Sequence, residues 1–308
     1  PLAALPEVAP HVRLNSRVVA VAREGLLKHE EISTPTRAAR PFRLLIADGQ
    51  GQERVAFAER VIDASGSYSH PNRLGDGGIP ALGEIALASE IRRDIPDFTR
   101  EAADWGGKTT LLVGGGHSAQ TAARELAELA KTASNTRVVW ALRGQVHTCE
   151  TSNCDPLPER GKLARTAAAF ANGDSPAVTV RSGVVVESLA RENGHLAVTL
   201  RKDNGERESL AVDRILALTG FVGDDSIYRQ LQIHECYAFA APMKLSAALL
   251  GAAGGGGDCL TQTSHGADTL KNPEPGFFIL GIKSYGRNTN FLMRVGWEQV
   301  EEVFGLLG

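Results

Sequence analysis

Cysteine, methionine and aromatic residues are scarce in this chain of 308 residues: four cysteines, two methionines and 6% Phe, Trp and Tyr. Four scattered cysteines, Cys149, Cys154, Cys236 and Cys259, are too few to staple a chain this long, and no secretory apolar segment opens it. A reducing cytoplasm is the expected compartment. No uninterrupted apolar run reaches the roughly 20 residues of a membrane span; the nearest, Ala238 to Gly257, is broken by Pro242, Lys244 and a glycine run. Charge of one sign is nowhere concentrated. With a net charge of −3 and 22% charged residues, nucleic acid and membrane are not the expected partners.

What is present suits a folded chain. Hydrophobic residues make up 43%, too many for disorder, and at roughly 150 residues per domain the length implies about two domains. Glycine is in surplus: 33 of 308 residues, about 11% against an average near 7%. Many backbone positions here need freedom that a side chain would deny.

Self-comparison reveals a repeat. Gly51-Gln-Glu-Arg-Val-Ala-Phe-Ala-Glu-Arg-Val-Ile-Asp-Ala-Ser-Gly66 aligns without gaps on Gly205-Glu-Arg-Glu-Ser-Leu-Ala-Val-Asp-Arg-Ile-Leu-Ala-Leu-Thr-Gly220. Upstream, Ser16-Arg-Val-Val-Ala-Val and Arg23-Glu24 parallel Ser182-Gly-Val-Val-Val-Glu and Arg191-Glu192. Each copy reads as short strands separated by turns, then a buried strand leaving through Ser-Gly or Thr-Gly. A glycine at the carboxyl end of such a strand lets backbone approach a ligand, so two copies imply two ligand-binding α/β domains.

Between the copies, Thr109 to Val113 is a buried-strand run, and Gly114-Gly115-Gly116-His117-Ser118-Ala119 is a turn of the G-x-G-x-x-A kind. Ala119, Ala122, Ala123, Leu126, Leu129 and Ala130 follow at helical spacing. Gly114 permits the tight turn, Gly116 bares backbone to a pyrophosphate, and Ala119 lets the helix pack closely. Helix N–H groups and the Ser118 hydroxyl face the phosphates. A second strand, Thr136 to Leu142, ends at Arg143, which suits a 2′-phosphate and favours NADP over NAD. His117 faces either the nicotinamide or water, and is a candidate catalytic residue.

If the second copy has its fingerprint at Gly114, the first is expected to have one a similar distance before Gly66, upstream of Pro1. After the second copy, Pro273 to Gly281 reads as a turn and a buried strand, and Asn288 to Leu307 as a helix with Phe291, Val295, Gln299, Val303 and Leu306 near one face.

Through Ala64-Ser-Gly66, Gly114 to Ala119, Leu218-Thr-Gly-Phe221 and the terminal strand and helix, the chain resembles the pyridine-nucleotide-dependent flavoproteins, the group that holds flavin-containing monooxygenases and thioredoxin-reductase-like enzymes. More narrowly, Asn272 to Arg287 and Phe291 to Val300 resemble the flavin monooxygenase-type flavoproteins found with arsenic-resistance genes. The resemblance implies an α/β fold of two dinucleotide-binding, Rossmann-like, three-layer domains, the NADP domain inserted in the FAD domain. Residues 1–104 would be the later strands and linker of the FAD domain, truncated at its N-terminus, residues 105–220 the NADP domain, and residues 221–308 the return. It also implies NADP(H) and FAD as cofactors, a small-molecule substrate or O2 as partner, and a possible homodimer. Gly66 would lie near the FAD pyrophosphate, with Gly281, Lys283, Tyr285 and Arg287 near the flavin or its ribityl chain. Asn288 would aim the last helix at the flavin, and Thr219 and Gly220 would line the NADP site. Where many relatives carry Gly-Asp, this chain has Gly281-Ile-Lys-Ser284.

Other constellations compete. A redox pair of the C-x-x-C kind is lacking, since Cys149 and Cys154 are too widely spaced. His147, Cys149 and Cys154 want a fourth metal ligand, so no metal is expected. Gly254 to Gly257 has no preceding strand and no following Lys-Ser/Thr, and reads as a loop; Cys259 beside it is a second catalytic candidate. His70-Pro71 and Gly75 to Pro80 read as a linker. The leading expectation is an FAD-dependent NADPH oxidoreductase, monooxygenase-like. The alternatives are a sensor that holds NADPH without turnover, and a thiol-disulfide reductase of the thioredoxin reductase type.

Overall fold

A computed structural model describes residues 2–145, 157–253 and 264–308. The chain divides into two compact units, Pro1–His70 with Phe221–Gly308, and Pro71–Gly220.

The first unit opens with β1 (Arg17–Arg23), α1 (Pro35–Ala39), β2 (Phe42–Ala47) and β3 (Glu53–Ala58). The three strands form an antiparallel sheet in the order β1-β2-β3. β4 (Val61–Asp63) leaves it, and the chain exits through Gly66, whose φ of 74° belongs to the left-handed region.

The second unit runs through β5 (Ile91–Arg92), α2 (Ala102–Trp105), β6 (Thr109–Val113), α3 (His117–Thr132), β7 (Arg137–Leu142), α4 (Pro158–Ala171) and β8 (Val178–Ser182). β9 (Val184–Glu192), β10 (His195–Lys202), β11 (Arg207–Val212) and β12 (Arg214–Ala217) complete it. Five strands form a parallel sheet in the order β5-β12-β6-β7-β8, while β9, β10 and β11 make a separate antiparallel sheet. β6 ends in the apolar run Leu111-Leu112-Val113, and Leu111 and Leu112 are both fully buried, because both of its faces are covered. Leu112 packs with Ala119, Ala122, Ala123 and Leu126 of α3, whereas Leu111 belongs to a cluster with Val186 of β9, Leu196, Val198 and Leu200 of β10, and Val212 of β11. Alternate side chains of one strand therefore join three layers: helices, parallel sheet and antiparallel sheet.

The first unit resumes with β13 (Glu235–Cys236), β14 (Ala241–Pro242), α5 (Met243–Ala253), β15 (Phe277–Ile279), α6 (Ile282–Tyr285) and α7 (Met293–Leu307). β15 pairs in parallel with β4. Phe277 and Ile279 turn toward Val21 and Phe42 of the antiparallel sheet, and Phe278 turns toward Leu245 of α5 and Val295 and Val303 of α7. Both copies of the repeat thus fold alike, as a three-stranded antiparallel sheet followed by one parallel strand whose exit passes a glycine at positive φ, Gly66 or Gly220.

Three local readings differ from the sequence expectations. Residues 71–104, placed by sequence with the first domain, pack within the second unit, because β5 hydrogen-bonds to β12. The linker from Gly75 to Pro80 is a closed turn: a Cβ on Gly75 would lie 2.6 Å from the Ile79 carbonyl oxygen. The last helix begins at Met293, not Asn288, because Leu292 is extended (φ −118°, ψ 144°) and the Asn288 Oδ1 accepts a hydrogen bond from the Asn290 N–H in a turn. Among the described residues no helix is long and apolar enough to cross a membrane.

Candidate functional site

In the second unit the strand order reverses between β6 and β12, and ligands of open α/β sheets bind beyond the carboxyl ends of strands at such a switch point. Gly114 follows β6 there with φ 134°, and a Cβ on it would lie 2.2 Å from the Leu218 carbonyl oxygen. Only glycine fits. The Gly114 carbonyl accepts from the buried Trp140 Nε1 at 2.8 Å, which fixes the turn from beneath. Gly116 is the N-cap of α3, where no side chain caps the helix and a Cβ would meet nothing within 4 Å. Gly116, His117 and Ser118 are at least partly exposed, Gly115 is half-buried and Ala119 is buried against the sheet. An uncapped helix start beside bare glycine backbone is a fit for a pyrophosphate, since both the N–H groups and the helix dipole favour an anion. Arg143 is exposed one residue beyond β7.

The exit of β12 is pinned. Asn72 donates its backbone N–H to the Gly220 carbonyl at 2.9 Å and its Nδ2 to the Thr219 carbonyl at 3.1 Å. The Asn72 carbonyl accepts from Thr219 Oγ1 at 2.8 Å and from Arg93 Nη1 at 2.9 Å.

In the first unit the two chain exits, Gly66 after β4 and Gly281 after β15, both have positive φ, 74° and 71°. A Cβ on Gly66 would meet nothing nearer than Ile282 Cγ2 at 4.0 Å, and one on Gly281 nothing at all within 4 Å. That bare backbone is again a fit for a dinucleotide. Lys283 does not point outward: its buried Nζ donates to Asp63 Oδ2 at 2.6 Å, to Ser65 Oγ at 3.1 Å and to the Asp224 carbonyl at 2.7 Å. Burial acts to raise the Asp224 carboxyl, but hydrogen bonds from Ser226, with the nearby charges of His70 and Lys283, bring it net below its ordinary value. Tyr285 is fully buried against Phe291 with no partner for its hydroxyl among the described residues, and burial holds its phenol above its ordinary value. Arg287 is exposed, and its backbone N–H donates to the Phe239 carbonyl at 2.7 Å. A cavity of about 570 Å³ runs along β4, lined by Val18, Leu44, Val61, Ile62, Asp63 and Asp224 among others.

No protein-family model and no curated protein matches the chain. Solved structures do. Bacillithiol disulfide reductase Bdr (YpdA) from Bacillus cereus matches with a TM-score of 0.66 at 18% identity, over 99% of this chain and 76% of that one. Thioredoxin reductase from T. acidophilum gives 0.59 at 13% identity, over 97% and 77%. An ornithine N-hydroxylase, KtzI from Kutzneria sp. 744, gives 0.55 at 13% identity, over 95% and 71%. This chain has their fold. It is the two-unit α/β fold of Rossmann type that the resemblance implied, shared by disulfide reductases and an N-hydroxylase alike.

The structure brings Gly114, Gly115, Gly116, His117, Ser118, Ala119, Thr219 and Gly220 to one switch point in the second unit, and Gly66 and Gly281 to the strand exits of the first. Asn288 lies in the turn before α7 and not at its start. His147, Cys149, Cys154, Cys259 and the Gly254–Gly257 loop fall outside the described residues. Cys236 is buried, and no metal-binding group of His, Cys, Asp and Glu occurs among the described residues. Sequence reasoning missed Asn72, Trp140, Asp63 and Asp224. One signal was available: Asp63 stands in the repeat where the second copy has Ala217, and a carboxylate at the end of a buried strand needs a partner.

Proposed function

We propose that the chain is an NADPH- and FAD-dependent oxidoreductase. NADP(H) would lie on the glycine turn and helix start at Gly114 to Ala119, with Arg143 on the 2′-phosphate, and FAD at the strand exits Gly66 and Gly281. The observation that carries this reading is the uncapped start of α3 beside Gly114 and Gly116, at the point where the sheet reverses. The chemistry supplied by the bound pair is hydride transfer from NADPH to FAD, with electrons passed onward to O2 or another acceptor. This chain's own residues then have the tasks of binding, orientation and exclusion of water, and no side chain need act as a general base. His117 is exposed at the first position of α3 and would contact the bound dinucleotide rather than shuttle protons within a network.

The monooxygenase-like branch is favoured over thiol-disulfide exchange of the C-x-x-C kind because no two of the four cysteines have that spacing, and Cys236 is buried at 4% exposure, where an attacking thiolate has to be reached by its disulfide. NADPH oxidation followed with and without added FAD tests the reading. Flavin bleaching by NADPH under anaerobic conditions supports it, and a protein that binds NADPH but never reduces added FAD makes it a sensor instead. Loss of turnover on Cys149→Ser, Cys154→Ser or Cys259→Ser moves it to the disulfide reductases.

A further inference from the structure

We propose that Asn72 is a positioning residue for the nucleotide site of the second unit, held in place by Arg93 and Glu84. The inference rests on the dinucleotide reading given above. The backbone leaving β12 is the wall against which Gly114 closes: a Cβ on Gly114 would lie 2.2 Å from the Leu218 carbonyl oxygen and 3.5 Å from the Thr219 nitrogen. Whatever sets the course of residues 218–220 therefore sets the shape of the glycine turn.

Asn72 sets that course. The carbonyls of Thr219 and Gly220 both point at it, one toward its Nδ2 and one toward its backbone N–H, and the Thr219 hydroxyl donates to its carbonyl. In a trans peptide the N–H points opposite to the C=O. With the Thr219 carbonyl drawn to Asn72, the Gly220 N–H is turned away from it, and no hydrogen bond among the described residues uses that N–H. It is left for an acceptor oxygen of a bound dinucleotide. Gly220 has φ 83°, a left-handed conformation that favours glycine, and a Cβ there would lie 3.4 Å from Asn72 Nδ2.

The clasp is anchored from behind. Arg93 donates from Nη1 to the Asn72 carbonyl and from Nη2 to Glu84 Oε1 at 2.7 Å. The Glu84 side chain is fully buried, and its Oε2 accepts from the Leu74 N–H at 3.0 Å and the Ala81 N–H at 2.9 Å. A buried carboxylate tied to two backbone amides and one guanidinium is fixed in orientation, and through Arg93 it fixes Asn72. Nothing in the local sequence around Asn72 suggests this role, because its partners Thr219 and Gly220 are distant along the chain.

The test is equilibrium binding of NADP+ to the 308-residue chain and to Asn72→Ala, Thr219→Val and the double variant, each well below its melting temperature. Each single change removes one hydrogen bond of the clasp and is expected to weaken binding about three- to tenfold. The double variant is expected to bind no more weakly than the weaker single, because both bonds join the same two residues, Asn72 and Thr219. Where Asn72→Ala folds poorly, Thr219→Val alone decides, since it keeps the Asn72 side chain. A wild-type chain that does not bind NADP+ overturns the dinucleotide reading and this inference with it. A wild-type chain that binds, beside folded variants that bind equally well or lose affinity only in proportion to their unfolded fraction, overturns the inference and leaves the reading standing.

Discussion

Lys283 meets Asp63 at 2.6 Å, with both side chains almost wholly excluded from water, although the two residues stand 220 apart in the sequence. The contact joins the segment after β15 to the end of β4, and two further oxygens on the same nitrogen leave no donor capacity wasted. Changing Lys283 to Met strands a buried carboxylate, and is expected to cost about 3–5 kcal/mol of unfolding free energy. Adding Asp63→Asn removes the stranded charge and is expected to recover part of that loss. Urea denaturation of the two variants measures both; a single change costing under about 1 kcal/mol contradicts the burial argument.

Gly114 and Gly116 separate folding from binding. Gly114→Ala puts a methyl into the Leu218 carbonyl at a φ of 134°, so both stability and NADP+ binding should fall. Gly116 has an ordinary φ of −80° and open space around it. Gly116→Ala should therefore cost no more than about 1 kcal/mol of stability, the difference between Gly and Ala at an N-cap, while weakening NADP+ binding about tenfold, because the methyl would occupy the place proposed for the phosphate. Melting curves run beside calorimetric titrations give the comparison, and equal affinity in Gly116→Ala would place the phosphates elsewhere.

On the proposed reading, Arg143 sets the preference between the two nicotinamide cofactors. Removal of its guanidinium in Arg143→Ala should lower the ratio of NADPH to NADH efficiency roughly tenfold to a hundredfold, in line with about 1.5–3 kcal/mol for a hydrogen bond to a charged group. The ratio of kcat/KM for the two cofactors reports it. No change in the ratio removes Arg143 from the 2′-phosphate.

Glu274 links stability to pH. Burial pushes its carboxyl up, but hydrogen bonds from Arg37 and Arg23 and from the Gln232 N–H outweigh burial and hold it below the ordinary 4.5. A carboxyl whose folded pKa is depressed contributes stability that is complete above the unfolded value and is lost as pH falls through the folded one. Melting temperature should therefore drop below about pH 4.5 more steeply in the wild type than in Glu274→Gln, which lacks the titrating group and is less stable at pH 7. Parallel slopes in the acid range would assign the acid sensitivity to other carboxylates.

FAD should be held weakly by the 308 residues. The one glycine turn of fingerprint type lies in the second unit, and Lys283, expected beside the flavin, is committed to Asp63. Less than one equivalent of FAD is expected to stay with the protein through gel filtration, by absorbance near the flavin bands. Full retention would mean that Gly66 and Gly281 suffice.

Periodic features were legible in the sequence. The strand Thr109–Val113, the turn at Gly114 and the alanine face of α3 follow from local spacing, and the repeat showed two α/β units because each copy carries its own turns and strands. Contacts between distant residues left no such trace. Asn72 with Thr219, Lys283 with Asp63, and Glu274 with Arg23 and Arg37 are each made only when the chain has closed, and nothing in the spacing around any one of them points to its partner. The start of α7 was misplaced for a related reason: residues 288–292 carry a helical apolar pattern, but a turn closed by Asn288 takes them instead.

The parallel pairing of β4 with β15 also fixes the order in which the molecule can be completed. The pair of β4 and β15 cannot form until Phe277 has followed Val61, whereas all five strands of the parallel sheet between Pro71 and Gly220 are synthesised in one uninterrupted stretch. For this strand pair the usual order, first domain first, does not hold, because the inserted stretch is complete before the pair can form. The strands of the inserted unit's parallel sheet are therefore all made before β4 can meet β15.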